Sequence, residues 1–108
     1  MTKTIFLAAC ALALAATTSL AADVEAGRKK AAEACKACHG EDGTKPITPD
    51  TPILAGQYAD YLEHALRAYR KGARQNPMMT PMAQPLTDEE IRNLAAFFSQ
   101  QTGLQVRY

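Results

Sequence analysis

Three stretches of the chain carry apolar residues at helical spacing. In residues 24–34 the positions are Val24, Gly27, Ala31 and Ala34. In 58–71 they are Tyr58, Tyr61, Leu62, Ala65, Leu66 and Tyr69, with Glu63, Arg67, Arg70 and Lys71 off the stripe. In 88–101 they are Ile91, Leu94, Ala95 and Phe98. Intervals of three and four place each set on one face of a helix. The flanking residues agree. Asp23 is a good N-cap for the first helix. Thr87 followed three positions later by Glu90 is a capping box, and Asp88, Glu89 and Glu90 suit the positive end of the helix dipole. Gly72 and Gly103 stand where the second and third helices should stop. The first face is built from small residues. Gly27 costs about 1 kcal/mol relative to alanine within a helix, so the spacing predicts that it permits close approach of the last helix.

The connections are of a different character. Residues 41–54 contain Gly43, Pro46, Pro49 and Pro52, and 72–85 contain Pro77, Pro81 and Pro85 without a regular period. Both read as loops. No strand pattern or internal repeat is present, so the fold class predicted is all-α, with three main helices and long loops. Before the first helix, Lys3 precedes an apolar run over 5–16 that is too short to span a bilayer and suits a signal-peptide core. Small residues at Ser19 and Ala21 favour cleavage after Ala21, with Ala22 the other site. The expected organisation is therefore a signal peptide over 1–22 and one domain over 23–108. A retained membrane anchor is the other reading. Residues 7–10 resemble a lipoprotein cleavage site but lie inside the apolar run, so Cys10 is expected to leave with the leader.

Removing 22 of the 108 residues leaves 86. A chain of that size has a marginal core without a staple. Without Lys3, eleven basic residues balance eleven acids. A neutral chain is a poor partner for nucleic acid, which requires a basic excess. No stable membrane insertion is expected after cleavage, and export leads to an oxidising compartment.

The candidate staple is Cys35-Lys36-Ala37-Cys38-His39-Gly40. Two cysteines spaced C-x-x-C with histidine next is the pattern for covalent haem attachment. One helical turn brings two sulfurs to two vinyl groups of one macrocycle, and His39 can give a ring nitrogen to the iron. A thioredoxin-like dithiol would need a βαβ pattern, and a structural zinc site would need four ligands, whereas only His64 remains downstream. The two cysteines cannot both hold haem and form a disulfide, so no disulfide is expected. A proline carbonyl in 41–54 could accept the free N–H of His39, Pro49 being the first candidate and Pro52 the second. Met78, Met79 and Met82 lie in a proline-rich loop, where thioether sulfur is a candidate axial ligand. His64 could ligate in principle, but it falls among polar residues and reads as a surface histidine.

Together these residues resemble the class I c-type cytochromes, nearest to small bacterial periplasmic monohaem cytochromes and to single-haem halves of their dihaem relatives. The likeness runs from Glu25-Ala26-Gly27 through the motif at Cys35 and Leu54-Ala55-Gly56-Gln57. It continues through Met78-Met79-Thr80-Pro81-Met82 to Leu86-Thr87-Asp88-Glu89-Glu90-Ile91 and Leu94-Ala95-Ala96-Phe97-Phe98. It implies a cytochrome c fold around one haem c held by Cys35 and Cys38, with His39 and a methionine on the iron. Counting seven back from Leu86 selects Met79, with Met82 a second methionine and Met78 the outside candidate. Thr51 stands where the family often has an aromatic residue. The resemblance further implies a monomeric periplasmic one-electron carrier rather than an enzyme, docking transiently on redox partner proteins. A cytochrome subunit of a sulfide-oxidising flavocytochrome or terminal oxidase is the alternative, and a haem sensor or peroxidase-like enzyme is a further one.

Overall fold

Helix α1 (Val24–Ala34) begins at Asp23, whose Oδ1 accepts the N–H of Ala26 at 3.0 Å. The structure, a computed structural model, describes residues 11, 13 and 21–103. The expected leader, Cys10 included, falls almost wholly outside the described residues. α2 (Lys36–His39) follows at once and carries the cysteine motif. α3 (Ala59–Arg70) and α5 (Asp88–Ser99) are the other long helices, and α4 (Met79–Ala83) is a short one between them. Among the described residues there are helices and loops and no strands.

α1 and α5 pack directly on each other, and Gly27 is the reason they can. A Cβ at Gly27 would lie 2.6 Å from the carbonyl carbon of Asn93 and 3.0 Å from Cβ of Phe97. The expected close approach at Gly27 is therefore present. Asn93 also turns its buried side chain back to α1, its Oδ1 accepting the N–H of Asp23 at 2.8 Å. The capping box on α5 is complete: Thr87 Oγ1 accepts the N–H of Glu90, and Glu90 Oε1 accepts that of Thr87, both at 3.1 Å.

The buried face of α5 is wider than its spacing predicts, taking in Asn93 and Phe97 besides Ile91, Leu94, Ala95 and Phe98. The helix is covered on two sides, by α1 and by α3. Ile91 and Leu94 are its two large fully buried side chains. Ala31, Leu62, Ala83 and Leu86 complete the core around them, with Leu66 and Tyr69 partly buried against it. Burying side chains of this size contributes about 1.5–3 kcal/mol each.

On α3 the predicted stripe is only partly inward. Leu62 is buried, whereas Tyr58 and Tyr61 are 66% and 46% exposed. Tyr58 is the N-cap with extended backbone, so the helical phase does not reach it. Tyr61 lies at the edge of the stripe, and its hydroxyl accepts from Arg74 Nη1 at 3.4 Å. α3 ends at Lys71 and Gly72, as expected. The reading of 72–85 as irregular is corrected by α4, which Pro77 before it and Pro81 within it mask and which follows a turn held by Asn76 and Thr80.

Ion pairs between helices tie the ends together. Lys30 Nζ on α1 is 2.9 Å from Glu90 on α5. Arg70 at the end of α3 donates to Asp88 Oδ1 at 2.6 Å and to the carbonyl of Leu86 at 3.0 Å. These contacts hold the 71–87 segment, and with it the methionines, between two fixed helix ends.

Candidate functional site

Cys35 is both the last cap of α1 and the first cap of α2, so the motif grows directly out of a helix packed on the core. The amides of Cys38 and His39 both donate to the carbonyl of Cys35, at 3.3 and 3.0 Å. This turn separates Cys35 and Cys38 by one helical turn and places His39 after them. Both cysteines are partly exposed. Burial pushes the Cys35 thiol up to about 11.

His39 is 5% exposed, and its Nδ1 lies 2.9 Å from the carbonyl oxygen of Pro52. Of the two candidate prolines, the partner is Pro52 and not Pro49. The chain between them is closed by short-range bonds. Ile47 N–H donates to the Cys38 carbonyl at 3.0 Å, and Leu54 N–H to the Gly43 carbonyl at 2.9 Å. Gly43 has φ of +79°, and a Cβ there would come within 3.0 Å of Phe98 and Leu54. Only glycine turns the chain here without strain. The loop is anchored to α5 by the N–H of Gly56 on the carbonyl of Phe98, 2.9 Å. With Nδ1 donating to Pro52, the Nε2 of His39 has its lone pair free for a metal.

The three methionines are separated by their exposure. Met78 and Met82 are 64% and 41% exposed, whereas Met79 is half-buried. Asn76 holds the start of this segment. Its Oδ1 accepts the N–H groups of Met78 and Met79, at 2.9 and 3.0 Å, while Thr80 Oγ1 accepts the N–H of Asn76 at 2.9 Å. Asn76 is not among the residues that the helical and motif patterns single out. The signal was there as asparagine before Pro77 with threonine four positions on, a helix start hidden by prolines. His64 is exposed on α3, in a surface hollow of about 240 Å³ lined also by Asp60, Glu63, Arg67 and Lys71.

The donor set fits a c-type haem. Two thiols one turn apart precede a buried imidazole with one nitrogen already bonded. Among the described residues no cluster of three or more His, Cys, Asp or Glu could hold a metal ion by itself. Ile47 and Ile53 on the loop that carries Pro52, with Met78 and Met82 at the start of α4 and within it, offer apolar surface of the kind a macrocycle covers. Among the described residues no helix is long and apolar enough to cross a membrane.

Comparison with known proteins agrees. The family model of cytochrome c matches residues 24–102. The chain is 48% identical to cytochrome c-554(548) of Halomonas halodenitrificans over 84 residues, which are 75% of this chain and 99% of that one. It resembles the solved structure of reduced cytochrome c4 from Pseudomonas stutzeri with a TM-score of 0.70 and 40% identity, over 78% of this chain and 48% of that one. It is also 43% identical over 72 residues to a thiosulfate dehydrogenase electron acceptor of Stutzerimonas stutzeri, covering 67% of this chain and 33% of that protein. The chain thus spans about half of cytochrome c4 and a third of the electron acceptor. With the haem-attachment turn, the all-helical fold and these likenesses in hand, the chain belongs to the cytochrome c family, as a class I c-type cytochrome electron carrier similar to one half of the dihaem cytochrome c4.

Proposed function

We propose that the chain is a periplasmic one-electron carrier with one covalent haem c, its iron ligated by His39 and Met79. The observation that carries this reading is the buried His39 fixed through Nδ1 on Pro52, one residue after the C-x-x-C pair. Bound haem supplies a one-electron couple, ferrous and ferric. The sulfurs of Cys35 and Cys38 hold it by thioether bonds. Nε2 of His39 would bind the iron, and the Pro52 carbonyl on Nδ1 would raise the basicity of that imidazole. Met79 gives the softer ligand and raises the potential. Its lower exposure than Met78 or Met82 supports this choice. Residues 1–22 act as the export leader and 23–108 as the working domain, which carries electrons as a monomer through brief docking on redox proteins.

The test is direct. Intact mass of the exported protein should exceed the polypeptide by one haem, and the colour should stay with the protein in acid–acetone. Met79→Ala should abolish the ferric charge-transfer band of an iron–thioether bond and lower the potential. Survival of that band in the variant would overturn the ligand assignment.

Relatives named as thiosulfate dehydrogenase electron acceptors favour a second reading, in which the chain serves as the acceptor domain for an oxidoreductase of inorganic sulfur compounds. The thiosulfate dehydrogenase electron acceptor bears the likeness, over a third of its own length. Stable co-purification with such an enzyme would favour it, and isolation alone as a monomer would favour the free carrier.

A further inference from the structure

Asn76 lies three residues before Met79, and nothing in the chemistry of haem attachment assigns it a role. Its side chain is the N-cap of the turn that leads into α4. Oδ1 accepts from the N–H groups of Met78 and Met79, and the carbonyl of Asn76 accepts the N–H of Thr80 at 3.1 Å. The cap is reciprocated, since Thr80 Oγ1 accepts the N–H of Asn76. Pro77 follows in the turn that precedes α4, where its fixed φ suits the bend and its missing N–H is not needed. Asn76 itself is exposed and takes no part in the hydrophobic core. Its hydrogen bonds go to the backbone N–H groups of Met78 and Met79 and to the hydroxyl and N–H of Thr80.

We propose that Asn76 is the positioning residue for the sixth ligand: its side chain fixes the backbone at Met79 and so holds the thioether on the iron. This rests on the reading of Met79 as that ligand. The segment 76–83 is short and contains Pro77 and Pro81, so it cannot form a stable helix on propensity alone. A neighbouring anchor does exist, because Leu86 and Asp88 are held by Arg70. That anchor restrains the far end of the segment, and Asn76 restrains the near end.

The experiment compares the holoprotein with N76A, N76Q, N76D and M79A. Two quantities are read on the ferric form: the iron–thioether charge-transfer band, and the affinity for added imidazole, which must displace the sixth ligand. A lost cap is worth on the order of a tenfold change in such an equilibrium. Imidazole should therefore bind about tenfold more tightly to N76A, with the band still present in its absence. N76Q should behave like N76A, because its amide is one carbon too long to cap. N76D should stay close to the parent, because its carboxylate accepts the same two N–H groups. Parent-like imidazole affinity in both N76A and N76Q would overturn the role of Asn76 while leaving the Met79 assignment intact. A charge-transfer band surviving in M79A would remove the ligand assignment itself, and the proposal with it. Reduced thermal stability in N76A without a change in imidazole affinity would count as a purely structural role and also overturn the proposal.

Discussion

The imidazole Nδ1 of His39 lies 2.9 Å from the carbonyl oxygen of Pro52, thirteen residues further along the chain. The contact sets the tautomer, since a ring nitrogen facing a carbonyl must carry the proton. His39 is also almost fully buried. In the diamagnetic ferrous protein its Nδ1 proton should be visible by NMR and protected from solvent exchange. Rapid exchange with solvent would contradict the buried, bonded geometry.

Gly27→Ala should destabilise the protein although alanine is the better helix former. The propensity gain is about 1 kcal/mol. Against it, the new Cβ would be driven into the Asn93 carbonyl and against Phe97. Overpacking of this kind costs about 1–3 kcal/mol, and the obstacle here is backbone, which yields less than a side chain. The net outcome expected is a lower midpoint in denaturant with an unchanged m-value, measured on the holoprotein. A gain in stability would show that α1 and α5 are further apart than the structure has them.

Acid should weaken the ties between helices. The Lys30 side chain, through its hydrogen bond, holds the Glu90 carboxyl below its ordinary value, and Arg70 does the same for Asp88. Carboxylates with lowered folded values stabilise above their unfolded values, near 4, and lose that contribution as pH falls through the folded ones. Lys30 is shifted upward, chiefly by Glu90, so its share is present below its unfolded value, near 10.4, and fades as pH rises through the folded one. The Lys30–Glu90 pair therefore helps across the neutral range and fails at both ends. Glu90→Gln should flatten the acid limb of a stability–pH curve, each pair being modest because it is largely solvated. An acid limb unchanged in that variant would rule out the pair as its source.

His64→Ala should leave the optical spectrum and the midpoint potential as they are. The side chain is exposed on α3 among Asp60, Glu63, Arg67 and Lys71. A changed spectrum would make it a ligand in place of the methionine.

Much of this molecule was legible in short-range pattern. Asp23, Thr87 and Glu90 announce helix starts because a cap bonds only two or three residues away. The haem-attachment turn is legible for the same reason, since its cysteines and histidine span five consecutive positions. Gly27 could be read as a close-packing site from the run of small residues around it. Proline concealed α4, because Pro77 and Pro81 break the period while Asn76 and Thr80 restore the turn with side-chain bonds. Only the tertiary structure decided which carbonyl serves His39, because that depends on how a loop of prolines closes through Gly43 and Gly56. It likewise decided which methionine is sheltered and that Asn93 reaches Asp23 across seventy positions. Contacts between distant residues follow from how rigid helices cross, and no local spacing records where a crossing will fall.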